Sequence, residues 1–208
     1  VNTEYSGIVK HNMWNNSLTD DILTSSGKYI KSILQGNCSS YNRGQYAIMM
    51  PRDDSKAFWQ EEYINKIVSI EFKKSENIPD NVTIHWDISL TENSTVNAYV
   101  EPIENNYKLY IISSNIINLP INCYKLFSGF QNLEKIEFHN ISTSTSDDFG
   151  SMFYLCSSLE NIQGLEQFDT QNIKFMYSMF LECRKLTKLD LSNWNTAKLT
   201  NILNMFAN

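Results

Sequence analysis

The sequence predicts an α/β (α+β) solenoid, with a parallel sheet on one face, short helices on the other, and a mixed α/β cap before the first repeat. Three observations carry that prediction. An apolar-phenylalanine pair returns as Leu126-Phe127, Met152-Phe153, Met179-Phe180 and Met205-Phe206, in steps of 26, 27 and 26 residues. Aligned on the phenylalanine, other apolar positions fall into register: Phe130, Cys156 and Cys183, then Leu133, Leu159 and Leu186, then Ile136, Ile162 and Leu189. A threonine stands ten residues before each of the last three phenylalanines, at Thr143, Thr170 and Thr196. Such a period marks one supersecondary unit that cannot bury its apolar side by itself and must stack on its neighbours.

Within the unit each element has a reason. Leu186 to Trp194 has the L-x-x-L-x-L spacing of a leucine-rich repeat. Its period of two predicts a short strand with Leu189 and Leu191 turned inward and Lys188, Asp190 and Ser192 outward. Successive strands then pair in parallel about 4.8 Å apart. After each threonine the spacing becomes helix-like, as in Ile173, Met176 and Met179-Phe180 or Leu199, Ile202 and Leu203. Those segments are expected to return the chain as helices, with Thr170 and Thr196 as their caps.

At these residues the chain resembles the BspA-like leucine-rich-repeat surface proteins of bacteria, whose unit of about 25 residues reads MF-x-x-C-x-x-L-x-x-L-D-L-S-x-W-x-T. Met179-Phe180, Cys183, Leu186, Leu189-Asp190-Leu191-Ser192, Trp194 and Thr196 fill that pattern. The preceding unit fills it less completely, with one extra residue around Gly164. The first unit departs most, having Phe130 for the cysteine and Ser146 for an apolar residue, as suits a terminal turn. The resemblance extends over 66–208. It implies attachment to a bacterial surface and adhesion to host or neighbouring cells.

Upstream, Ser17 to Asp20 could open a helix running to Gly36, and Asn37 to Arg43 is a polar loop. Tyr46 to Met50 suits a short strand, and Asp54 or Ser55 could cap a helix through Phe58, Trp59 and Ile64. Val68, Ile70 and Phe72 alternate with Ser69 and Glu71 as a strand. Val96–Val100 and Lys108–Ile112 read as a hairpin across Glu104-Asn105-Asn106. Three regions follow: a helix-containing part at 1–65, a strand-rich cap at 66–120 that closes the open edge of the repeat sheet, and repeats at 121–208.

Composition fits a folded domain: 208 residues, 42% hydrophobic and 19% charged. The net charge of −6, with no basic run beyond Lys73-Lys74, argues against nucleic acid or an anionic membrane as partner. No apolar run is long enough to span a bilayer. The chain starts at Val1 and stops inside a unit at Asn208, which favours a fragment of a longer array. Stopping there is expected to expose Leu199, Leu203 and Phe206, and with them a route to self-association. Cys156 and Cys183 share a repeat position and are expected as buried thiols rather than a disulfide. Cys38 and Cys123 have no metal-ligand spacing, so neither zinc nor another cofactor is predicted.

Chemistry finds little support. His11, His85 and His139 lie in no catalytic motif, Asp53-Asp54 and Asp147-Asp148 read as turns or caps, and no glycine-rich phosphate loop is present. The expected function is a non-catalytic module that binds a protein or a cell-surface glycan outside the cell. By strand alternation its ligand-facing residues are Lys135, Glu137 and His139, then Gln163, then Lys188, Asp190 and Ser192. An intracellular scaffold or immunity partner is the alternative. A remoter one is an enzyme within 1–65, where Cys38 could meet His11 or His85 in space.

Overall fold

The structure, a computed structural model, describes residues 46–50, 52, 59–90 and 94–208. The chain divides into two compact units, Val1–Tyr46 and Ala47–Asn208, and the second holds the repeats. The helix expected over 17–36, the loop after it, His11, Cys38, and the capping residues Asp54 and Ser55 all fall outside the described residues.

The described elements are mostly strands: β1 (Tyr46–Ile48), β2 (Ile67–Lys74), β3 (Ile84–Asp87), β4 (Asn97–Ile103), β5 (Asn106–Ser113), β6 (Ile116–Asn118), β7 (Lys135–Glu137), β8 (Ile141–Ser142) and β9 (Asn161–Gln163). One four-residue helix, α1 (Glu61–Ile64), and one 3-10 turn, Leu165–Gln167, complete them. β4 and β5 form the expected antiparallel hairpin, tightened by Glu104 in the left-handed region at φ 55°. β3 adds antiparallel to β4, while β5, β2, β7 and β9 are mutually parallel, giving a mixed six-stranded sheet in the order β3-β4-β5-β2-β7-β9. Its inner face is apolar, with Ile70, Phe72, Ala98, Val100, Leu109, Ile111, Ile136 and Phe138 fully buried. β2 covers the edge that β7 would otherwise expose, since Ser69, Ile70 and Glu71 pair with Lys135, Ile136 and Glu137.

This architecture overturns the predicted α/β leucine-rich-repeat solenoid. The segments after Thr143, Thr170 and Thr196 form no helix; they are chains of turns. The reason is the destination of their N–H groups. An α-helix bonds each N–H to the carbonyl four residues back, whereas here every second N–H goes to the next coil. Cys123, Lys125, Phe127 and Gly129 donate to Asp148, Gly150, Met152 and Tyr154 at 2.8–3.0 Å. Phe149, Ser151, Phe153 and Leu155 donate likewise to Phe175, Tyr177, Met179 and Leu181, and Met176, Ser178, Phe180 and Glu182 to Asn201, Leu203, Met205 and Ala207. Many of the intervening N–H groups, such as those of Leu126 and Met152, close onto the carbonyl three residues back. Left-handed residues recur in register to allow this: Lys125, Ser151, Ser178 and Asn204 two before the phenylalanine, and Gly129, Leu155 and Glu182 two after it.

Two further expectations are corrected with it. Thr170 and Thr196 are not helix caps, since no helix follows either; the buried hydroxyls of Thr143 and Thr170 instead donate to Asp169 O at 3.0 Å and Asn195 O at 3.1 Å, tying each coil to its successor. The strand expected at Leu189–Leu191 does not form, because its backbone finds no ladder on β9; Leu186, Leu189 and Leu191 pack only partly against the core. The extra residue near Gly164 diverts the chain there into the 3-10 turn.

The repeat positions meet as side-chain stacks. Phe127, Phe153, Phe180 and Phe206 lie ring over ring at centroid separations of 5.4, 5.5 and 5.7 Å. A second column runs from Phe138 through Phe168 to Trp194. The irregular first unit fits its neighbours: Phe130 meets Trp59 edge-on at 5.1 Å, and the buried Ser146 hydroxyl donates to Pro120 O at 2.8 Å. Arg52 finishes this end, its guanidinium donating to the carbonyls of Lys125 and Ser128, both at 2.7 Å, while covering the Trp59 ring at 4.5 Å. At the other end Ile202, Leu203 and Phe206 are more than half exposed, as expected for the last two, whereas Leu199 is half-buried.

Candidate functional site

Side chains on one face of a sheet follow from register, because paired residues point the same way. On the outer face, one row runs His85, Tyr99, Tyr110, Glu71, Glu137 and Gln163 across all six strands. The row beside it runs Glu101, Lys108, Ser69, Lys135 and Asn161. Lys135, Glu137 and Gln163, predicted from alternation, are therefore brought together by β7 and β9. His139 follows β7, exposed, with Nε2 3.9 Å from Glu137 Oε1. Lys188, Asp190 and Ser192 are exposed but lie on turns outside the sheet, where the Asp190 carboxylate accepts the Ser192 N–H at 3.0 Å. The Ser192 hydroxyl, and after it that backbone bond, hold the Asp190 carboxyl below its usual value.

Sequence reasoning missed the larger half of the face: Tyr99, Glu101, Lys108, Tyr110 and Glu71. Alternation in the hairpin marks Lys108 and Tyr110 as outward. No local signal places β5 beside β2, since that parallel pairing joins segments separated by the whole of β3 and β4.

The two lysines in these rows are already paired. Glu71 and Glu137 are direct neighbours in register, and each takes its own lysine: Lys108 Nζ lies 2.5 Å from Glu71 Oε2 and Lys135 Nζ 3.0 Å from Glu137 Oε1. Tyr110 donates to Glu101 Oε2 at 2.7 Å, and the Lys108 ammonium stands 4.4 Å from the Tyr110 ring centre. Burial works to lower the Lys108 pKa, but the bonds to Glu71 and Tyr110 outweigh it and hold the ammonium above its usual value. Burial and the bond to Glu101 push the Tyr110 phenol up. Part-exposed pairs of this kind add only about 0–1 kcal/mol each; their effect is to fix side-chain directions.

Chemical reactivity is absent from the buried thiols. Cys123, Cys156 and Cys183 are free and buried. Cys156 and Cys183 each point an S–H at the backbone carbonyl of the preceding coil, Phe127 O and Phe153 O, both at 3.1 Å. Burial pushes the Cys183 thiol up to about 12 and raises those of Cys123 and Cys156 as well. Thiolate is the reactive form, so in a Cys38→Ser background the native protein is expected to leave all three thiols unlabelled by a maleimide near neutral pH, and to label three in denaturant. Because the unfolded thiols ionise first, their contribution to stability is present below about pH 8.5 and declines above it. Rapid native labelling would show that these coils open.

Among the described residues no three His, Cys, Asp or Glu side chains are grouped as a metal site would need, and no helix is long and apolar enough to cross a membrane. Residues 121–208 match a family model described as a Mycoplasma protein of unknown function, DUF285. No curated protein and no solved structure matches the chain.

Proposed function

We propose that this chain is a non-catalytic adhesion module of a bacterial surface or secreted protein, binding a protein or a cell-surface glycan on the outer face of its six-stranded sheet. The observation that carries the reading is the continuity of that face: β2 splices the hairpin to the repeat strands, so oriented polar and aromatic side chains run unbroken from His85 to Gln163. Exposed side chains on a rigid sheet can vary without disturbing the core beneath, which is what recognition requires. The similarity of the repeats to a Mycoplasma family supports a bacterial source. The surface location is tested by treating intact source cells with a protease and following the chain with an antibody. Loss of the epitope from unlysed cells is expected; full protection would replace adhesion by an intracellular scaffold.

A further inference from the structure

We propose that the hairpin end of this face, around Tyr99, Tyr110 and His85, is a subsite for a neutral oligosaccharide; this deepens the surface-binding reading and rests on it. Two features of the face select that ligand class. Both lysines in its two rows are already paired, Lys108 with Glu71 and Lys135 with Glu137, while Glu101 accepts only the neutral Tyr110 hydroxyl. An anionic ligand would have to draw one of those lysines from its carboxylate, whereas sugar hydroxyls can add to the pairs, since carboxylates, amides and ammonium groups all bond hydroxyls in their existing states. The second feature is what the face lacks. Its two central rows carry only polar or aromatic residues; the aliphatic ones on the same face stand outside them, Ile103 near the hairpin tip and Ile112 buried, so the rows have no aliphatic anchor of the kind that usually centres a protein interface.

The aromatic groups suit the C–H face of a pyranose. A tyrosine ring is negative over its face and carries a polar tip, while sugar C–H groups are weakly positive. His85 stacks on Tyr99 at 5.5 Å with 19° between planes, which steadies the ring while leaving His85 exposed and Tyr99 half-buried. The Tyr99 hydroxyl makes no hydrogen bond among the described residues. Glu101 stands next to Tyr99 and Tyr110 on the hairpin; its Oε2 is engaged by Tyr110, and its other oxygen is an acceptor that a sugar hydroxyl can use.

The test uses the full chain on an array of neutral oligosaccharides, of glucose, galactose, mannose and N-acetylglucosamine series, together with sialylated and sulfated counterparts. Retention of a neutral series is expected, little changed between low and high salt and weakened about tenfold or more by Tyr99→Ala, a loss of the size seen when an interface anchor is truncated. Tyr99→Phe is expected to weaken it less and to unfold at the wild-type midpoint, and Tyr99→Ala to remain folded at the assay temperature, its midpoint lowered only by the loss of one cross-strand pair. Retention of only anionic glycans, retention indifferent to Tyr99→Ala, or no retention of any sugar would each overturn the subsite. Those results leave surface adhesion standing if intact cells still lose the epitope to protease, so the two readings fail separately.

Discussion

Replacing Phe153 by alanine is expected to lower the unfolding free energy by about 3–5 kcal/mol. Phe153 is fully buried and lies between two like rings, 5.4 Å from Phe127 and 5.5 Å from Phe180, within 14° of parallel to both. Its edge also meets Phe138 at 6.4 Å. The size of the loss depends on whether neighbours can collapse into the space, and here they are held apart. The coil spacing is set by backbone bonds on either side, Phe127 N–H to Met152 O and Phe153 N–H to Met179 O, at 2.8 and 2.9 Å. A void therefore persists, and with it the cavity cost added to lost transfer energy. Phe206 supplies the internal control: it continues the same column at 5.7 Å but is 57% exposed. Phe206→Ala should cost under about 1 kcal/mol, as surface truncations do. Urea midpoints at unchanged m-value measure both. Equal losses would mean that the column does not form the core of the repeats.

That column is legible in the amino-acid sequence, because Phe127, Phe153, Phe180 and Phe206 must meet if units of 26 or 27 residues stack. The same alignment locates Cys156 and Cys183 in the interior. What it does not supply is the backbone between them. Ile173, Met176 and Met179-Phe180 have a spacing that a helix and a chain of turns share, and the choice rests on whether N–H groups bond within the coil or across it. The usual marker of such turns, glycine, is mostly missing: Ser151, Leu155, Ser178 and Glu182 all hold left-handed backbone with ordinary side chains. Such conformations cost non-glycine residues about 1 kcal/mol or more, and the bonds each coil makes to its successor offset it. None of those bonds is visible in a single unit read by itself. Leu189 and Leu191 mislead for a related reason: alternation states which way side chains would face in a strand, but a strand also needs a partner backbone. For the binding face, alternation reaches Lys135, Glu137 and Gln163, and stops where the sheet passes from the repeats to β5 and β4.

Gly164→Ala is the other change with a large expected effect, about 2–4 kcal/mol of destabilisation. Gly164 sits at φ +88°, between β9 and the 3-10 turn that absorbs the one-residue insertion in its repeat. A methyl group there would stand 2.1 Å from Phe138 O and 2.9 Å from Phe138 Cβ. Neither atom is free to yield. Phe138 O accepts the Gln167 side-chain amide at 2.7 Å, Phe138 N–H donates to Gln163 O at 2.9 Å, and the Phe138 ring is fully buried against Phe72 and Phe168. Relief of the contact must therefore separate coils or reorganise the turn. Gly129→Ala separates this steric effect from backbone strain. Gly129 has nearly the same φ, +85°, yet the nearest heavy atom to its added carbon, Ile64 Cδ1, is 3.9 Å away. The second variant should lose only the left-handed penalty, about 1–2 kcal/mol. A clear gap between the two in chemical denaturation assigns the remainder to the Phe138 carbonyl; matching losses would mean that the turn at 165–167 relaxes freely and does not lock the two coils together.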